Sequence, residues 1–274
     1  MRRVWRKRAQ KGADGERVEI VYGPVSSWRL GRSLGVDPIC REGKICSFDC
    51  VYCSLGSTTE KTIERKVFVP NEQVAQALEK AIKKVKADVV TFSGTGEPTL
   101  AQNLGELIEI ARDISGLPIV VLTNSSLKFR RDVRKDLAKA DIVKGKLDAS
   151  NDDILGIVNR PHKEISLSKI VGGLKKFRKE FDGRFAIEVM FVPENKNFSD
   201  EIAEIVATIE PDEVQINTPL RKSPAKPLTR EELKKVEKSF HGVNYRSVYE
   251  AKKPSKHYMK VLGKKKIRRL KRLE

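Results

Sequence analysis

Ala87-Asp-Val-Val-Thr-Phe-Ser93 is followed by Gly94-Thr-Gly-Glu-Pro98, a helical pattern from Asn103 to Ile114, and Pro118-Ile-Val-Val-Leu-Thr123. The first and last segments are apolar at nearly every position, as strands are when a parallel sheet is covered on both faces. The intervening stretch repeats its apolar residues at helical spacing, so the block reads as one strand–helix–strand unit. The same alternation extends both ways. Upstream, Leu30 to Val36 is a leading strand, and Val74, Leu78, Ile82 and Val85 recur at helical spacing behind Asn71, a candidate N-cap. Downstream, Leu127 to Lys139 reads helical and Asp141 to Leu147 extended. Helix Ser166 to Glu180, strand Phe185 to Val192, helix Ser199 to Ile209, strand Glu213 to Ile216, helix Arg230 to Ser239 and strand Val243 to Tyr249 complete the series. About six β/α units are available where a closed barrel needs eight. The expected fold is α/β, a partial, open (β/α)6 TIM-like barrel with its site at the carboxyl ends of the strands. Residues 18–250 form that domain, between a basic N-terminal arm (1–17) and a basic C-terminal tail (251–274). No internal repeat is visible.

Between the leading strand and the first helix lies Cys46-Ser-Phe-Asp-Cys50-Val-Tyr-Cys53, three of the four cysteines in the chain, spaced C-x3-C-x2-C. Three thiolates this close can bind three irons of one cubane [4Fe–4S] cluster and leave the fourth iron open to an outside ligand. Two other readings compete. Adding Cys40 gives enough thiols for a tetrahedral zinc site, but such sites usually join two separated C-x2-4-C pairs, and here all four come from one fourteen-residue stretch. A disulfide pairing is weaker still, since the N-terminus has no apolar region of the secretory kind and the composition is of intracellular type. A cytoplasmic location is expected. With 39% hydrophobic residues and no apolar run near eighteen, a membrane-spanning helix is excluded and no membrane partner is expected.

Fifty-five lysines and arginines against 37 acids give a net charge of +18. The excess gathers at the ends: Arg2, Arg3, Arg6, Lys7, Arg8 and Lys11 in front, and eleven basic residues from Lys252 to Arg272 behind. Such a field favours a polyanionic partner, RNA or DNA, through counterion release. Ile267, Leu270 and Leu273 interleave with the basic residues, so the tail can form a basic helix along a phosphate backbone or fold back on the barrel. The plainer reading is a thermophile's lysine-rich surface, which the scarcity of glutamine also fits.

Cys46-x3-Cys50-x2-Cys53, with Tyr52 just before the last cysteine, and Ser93-Gly-Thr-Gly-Glu-Pro98 after the following strand together resemble the radical S-adenosylmethionine (radical SAM) superfamily. Tyr22 to Gly31, continuing through Gly35-Val-Asp37, is similar to a narrower group related to the wyosine-forming tRNA enzymes. The likeness covers roughly residues 20 to 220. It implies one [4Fe–4S] cluster on Cys46, Cys50 and Cys53, with S-adenosylmethionine (SAM) chelating the open iron through its amine and carboxylate. An outside electron donor then drives cleavage to a 5′-deoxyadenosyl radical. Gly94, Thr95 and Gly96 are expected to bring backbone close to the methionyl amine, and Glu97 to offset its charge. The bare alternative for this segment is an ordinary βα turn.

Further cofactor contacts are expected from the later strand ends. Asn124 and Ser125 close the third strand, and Lys146, Asp148 and Ser150 the fourth, where the family binds the ribose. Val192 and the backbone near it, with Asn217 to Pro219, would flank the adenine. Asp and Ser also cap helices, so position alone does not separate the two roles. Arg160 and His162 lie in a loop after the fourth strand and can guide a phosphate, or simply form a surface turn at Pro161. Lys144 and Lys146 point to one face of their strand, where a buried lysine can be nucleophilic or can pair with a carboxylate. The wyosine enzymes hold a second cluster on three more cysteines. Only Cys40 remains here, so that chemistry is not available in the same form. The expected activity is a one-cluster radical SAM oxidoreductase or transferase that modifies RNA, a tRNA base. The alternatives are a small-molecule or protein substrate and, more remotely, a zinc-stabilised RNA-binding protein.

Overall fold

Seven parallel strands and one antiparallel strand make a single sheet in the computed structural model, which describes residues 19–251. In chain order the elements are β1 (Val21–Ser27), β2 (Gly31–Val36), the short pair β3 (Ile45–Cys46) and β4 (Glu60–Lys61), α1 (Asn71–Ile82), β5 (Val89–Phe92), α2 (Leu104–Ser115), β6 (Ile119–Thr123), α3 (Arg131–Leu137), β7 (Ile142–Lys146), α4 (Asp152–Val158), α5 (Leu167–Glu180), β8 (Arg184–Met190), α6 (Ser199–Ala207), β9 (Glu213–Asn217), α7 (Arg230–Glu237) and β10 (Tyr245–Ser247). The sheet runs β1-β2-β5-β6-β7-β8-β9-β10, and β3 pairs only with β4. β1 and β10 are its two edges, so the barrel is partial and open, as the count of β/α units predicts. The basic arm and all but the first residue of the tail, with Ile267, Leu270 and Leu273, lie outside the described residues.

The pairing register divides the sheet into two chemically different faces. Leu34, Val36, Val90, Phe92, Val121, Val143, Ile187, Val189, Val214 and Ile216 share one face and are essentially inaccessible. Val74 and Leu78 of α1, Leu104, Leu107 and Ile108 of α2, and Ile170, Leu174 and Phe177 of α5 belong to the same core. The opposite face carries Ser33, Thr91, Lys144, Lys146, Glu188, Glu213, Gln215 and Asn217. These groups are matched to each other. Ser33 donates to Thr91 at 2.6 Å, Lys144 to Gln215 at 3.3 Å and Asn217 to Glu188 at 2.8 Å. Arg29, in the β1–β2 turn, pairs with Glu188 on β8. In a closed barrel of this type branched aliphatic residues fill the equivalent layers. Here that face mixes Val120, Leu122 and Ala186 with the polar groups.

Some local expectations differ. Val21–Ser27 forms a strand that sequence reading does not assign, because Gly23 and Pro24 interrupt it and all seven residues are half-buried. Asn71 is the first helical residue; Pro70, in extended conformation, occupies the cap position, and the Asn71 amide binds Asn103 and Glu106 instead. The helix expected from Leu127 begins only at Arg131, because Ser125 to Arg130 form tight turns with backbone bonds Lys128 to Ser125 and Arg130 to Leu127. A short helix, α4, follows β7. Asn151 caps it by accepting the Ile154 amide at 2.9 Å.

Candidate active site

The cysteine loop is held from both sides. On one flank Ile45 donates to Thr95 at 3.0 Å and accepts from Glu97 at 3.1 Å, so β3 lies beside the Gly94–Glu97 segment that leaves β5. On the other flank Asp49 donates to the Asn159 carbonyl (3.0 Å), Val51 to Val158 (3.0 Å) and His162 to Ser47 (2.8 Å). Thr58 adds an internal tie by donating its hydroxyl to the Phe48 carbonyl at 2.6 Å. All four cysteines are free thiols. Burial pushes the Cys46 thiol up to about 12, with Glu97 adding to the rise, and the Cys50 thiol up to about 11. Both are protonated at neutral pH until a metal displaces the protons.

The glycines beside the loop answer to contacts within the chain. A Cβ on Gly96 would stand 1.6 Å from the Ile45 carbonyl oxygen, and one on Gly94 2.1 Å from the Asp37 carboxyl carbon. Asp37, at the exit of β2, is the organiser of this corner. It accepts the amides of Ile39 (3.0 Å), Cys40 (2.9 Å) and Thr95 (2.8 Å). Burial nonetheless leaves its pKa above the ordinary carboxylate value. Glu97 is 2% exposed and accepts four bonds, from the Thr99 amide and hydroxyl, the Thr123 hydroxyl (2.6 Å) and the Asn124 amide (2.7 Å). Its carboxylate therefore ties the glycine segment to the end of β6. That places Asn124 so that its Nδ2 lies 2.8 Å from Ser47 Oγ and 3.5 Å from Cys46 Sγ.

A second hub forms on Asp148, just past β7. Its Oδ2 accepts from the Tyr52 hydroxyl and from Asn159 Nδ2 at 2.8 Å, and its Oδ1 from the Met190 amide at 2.8 Å. Lys146 Nζ sits 3.3 Å from Oδ1 and 5.0 Å from the centre of the Tyr52 ring. Burial works against the Lys146 charge, but Asp148 and Glu188 outweigh it and raise its pKa. Asn159, at the end of α4, reaches Tyr52 Oη at 3.1 Å and Cys50 Sγ at 3.4 Å. Sequence reading passes over Asn159 because it is one residue of a loop whose Arg160 and His162 draw attention. Arg160 is exposed, and His162 Nδ1 accepts the Glu164 amide at 3.3 Å, a local turn contact.

The remaining expected residues are distributed more widely. Ser150 contacts only its neighbour, accepting from Asn151 Nδ2 at 3.5 Å. Val192 is fully buried and gives its amide to Asn195 (2.8 Å), whose own amide reaches the Asp148 carbonyl at 2.8 Å. Asn217 is committed to Glu188 and to the Thr218 amide at 2.9 Å. Cys40 has a left-handed backbone (φ 46°) and belongs to the Asp37 corner; burial and Asp37 push its thiol up to about 12. Lys144 is brought down to about 7 by burial, with Arg29 adding to the drop. Lys128, which sequence reading gives no role, is fully buried over Phe177 and Phe185, and its Nζ has no hydrogen-bond partner.

The comparisons with known proteins agree with this architecture. The description "Radical SAM superfamily" matches residues 43–209, which spans the cysteine loop and four strands of the main sheet, β5 to β8. The chain belongs to the radical SAM superfamily, and it is an enzyme of that class. It is 42% identical over 214 residues to a UPF0026 protein of Synechocystis, covering 77% of this chain and 78% of that one. A UPF0026 protein of Methanocaldococcus jannaschii is 41% identical over 210 residues, 74% of this chain and 64% of that one. Among solved structures, TYW1 with a lysine-pyruvate adduct bound superposes with a TM-score of 0.58 at 19% identity, covering 77% and 74% of the two chains. Streptococcus suis SuiB bound to S-adenosylmethionine gives 0.58 at 14% identity, covering 75% and 48%. Membership implies a [4Fe–4S] cluster and bound SAM. No helix among the described residues is long and apolar enough to cross a membrane.

Proposed function

We propose that the protein is a one-cluster radical SAM enzyme that modifies a base in tRNA, with Cys46, Cys50 and Cys53 as the cluster's protein ligands. The observation that carries the ligand assignment is the doubly tethered loop, which holds three unpaired thiols in one segment beside the glycine–glutamate turn. Three cysteines in one loop can bind three irons of a cubane and leave the fourth for SAM, whereas a closed zinc site needs a fourth protein ligand. When bound, the reduced cluster and SAM supply reductive cleavage of the sulfonium and a 5′-deoxyadenosyl radical for hydrogen abstraction. The chain's own residues do the positioning. Asp37 and Glu97 fix the Gly94–Gly96 turn, and Asp148, through Tyr52, ties the cysteine loop to the end of β7. The polar groups on the sheet face opposite the helix-covered one, Lys144, Lys146 and Glu188 among them, offer a substrate hydrogen-bonding partners.

The RNA assignment rests on the +18 net charge concentrated at the two ends and on the likeness of Tyr22–Asp37 to relatives of the wyosine-forming tRNA enzymes. Only Cys40 lies beyond the triad, so the protein works with one cluster, in the reducing cytoplasm and with an outside electron donor. Mass spectrometry of nucleosides in total tRNA from deletion and parent strains tests the reading. Loss of one modified nucleoside, restored by the wild-type gene and not by Cys50→Ala, is the expected result. Identical nucleoside profiles, together with tRNA binding that has no salt dependence, would remove the RNA part.

A further inference from the structure

Two of the three thiols are approached by a side-chain amide. Asn124 Nδ2 lies 3.5 Å from Cys46 Sγ, and Asn159 Nδ2 lies 3.4 Å from Cys50 Sγ. Each amide is aimed by its own fixed partners. Asn124 is anchored at its backbone by Glu97 and at its Oδ1 by the Ser126 amide (3.0 Å). Asn159 is anchored by one N–H to the Asp148 carboxylate, and its second N–H is shared between the Tyr52 hydroxyl and Cys50 Sγ. The orientation of Asn159 is dictated by these neighbours, because the opposite amide flip would set its oxygen against a carboxylate. That orientation leaves Asn159 Oδ1 buried with no donor. A buried acceptor is left unsatisfied only where something else fixes the group, and here the amide N–H edge is turned toward an acid and a sulfur.

We infer that Asn159 and Asn124 are positioning residues that set the reduction potential of the cluster by donating N–H···S bonds to Cys50 and Cys46. The inference rests on the ligand assignment made above. Hydrogen bonds to the ligating sulfurs are one of the protein's levers on an iron–sulfur potential. A donor to sulfur stabilises the more electron-rich, reduced state, so each amide makes the cluster easier to reduce. The Tyr52–Asp148–Asn159 chain then links the fourth strand's end to the cluster's electronics through one side chain.

The test is an anaerobic redox titration of the reconstituted full chain, followed by electron paramagnetic resonance of the reduced cluster, in the parent and in Asn159→Ser, Asn159→Ala, Asn124→Ser and Tyr52→Phe. Losing either donor is expected to favour the oxidised cluster by about tenfold, a midpoint about 59 mV more negative for one electron. Tyr52→Phe keeps Asn159 facing Cys50 and should move the midpoint by less than half as much. Iron and sulfide contents stay at the parent level in all four. Midpoints equal to the parent's in fully loaded Asn159→Ser and Asn124→Ser proteins would overturn the inference while leaving the ligand assignment intact. Should both Asn159 variants fold with parental thermal stability yet hold no cluster, Asn159 would be an assembly residue and the tuning role would fall. A parent protein that binds no cluster would instead defeat the ligand assignment itself.

Discussion

Replacing Gly96 by alanine puts a methyl carbon where the Ile45 carbonyl oxygen already lies, 1.6 Å away. Real contacts of this kind need about 3.2 Å, so the two backbones must separate by roughly 1.6 Å. The bonds that join them are 3.0 Å from Ile45 to Thr95 and 3.1 Å from Glu97 to Ile45. Lengthened by that amount, both pass beyond hydrogen-bonding distance. Each is worth about 1 kcal/mol net, and each buried group left unpaired costs about 1–3 kcal/mol more. With one buried group left unpaired per bond, the expected loss is about 4–8 kcal/mol, confined to the cysteine loop and the turn beside it. Urea unfolding reads the stability, and iron content after anaerobic reconstitution reads the loop. Gly156→Ala serves as the control, since nothing lies within 4 Å of its added carbon in the middle of α4. That substitution should stabilise by about 0.5–1 kcal/mol through helix propensity. If Gly96→Ala unfolds at the parent's urea midpoint and loads iron fully, the contact between β3 and the glycine turn does not hold the loop.

Three further outcomes follow from buried charge. Lys128 is desolvated to a pKa of about 7, so it opposes folding below that pH, and stability from this group rises as pH climbs from about 7 toward its ordinary value near 10.4. Lys128→Met should therefore raise the melting temperature at pH 6.5 by roughly 4–8 °C, with a smaller gain at pH 9.5; a fall of several degrees at both would show that the ammonium earns its place over the phenyl rings. Burial would raise the Glu188 carboxyl, but Arg29, Lys146 and Asn217 carry it down to about 2. Its contribution is present above the usual carboxylate pKa and disappears as pH falls through about 2, so the melting-temperature gap between parent and Glu188→Gln should narrow steadily from pH 5 to pH 2.5. Arg29→Met, which leaves Glu188 buried beside fewer cations, should cost about 3–5 kcal/mol at pH 7 by chemical denaturation.

Strand and helix order is readable in the sequence because each parallel strand is apolar on the helix-covered face and each helix repeats its own apolar stripe. The polar groups of the other face are harder to see. Lys144 and Lys146 alternate visibly, but Gln215, which Lys144 binds, and Glu188, whose charge helps raise the Lys146 pKa, are 71 and 42 positions away, placements set by register that no local pattern carries. The cysteine triad and the glycine turn stand out by spacing. The residues that hold them do not. Asp37 and Asn159 are single polar residues in turns, and their roles come from groups brought together by the sheet. β1 escapes notice because an edge strand with Gly23 and Pro24 has neither period, and α4 because seven residues are too few for a stripe to register.

The ties on both flanks of the cysteine loop run through backbone amides and carbonyls of Thr95, Glu97, Val158, Asn159 and Ser47, none of which requires iron. A scaffold stitched in this way outlives its inorganic cargo. The empty loop is therefore expected to keep its shape, so that purified apo protein takes up iron and sulfide without first being refolded.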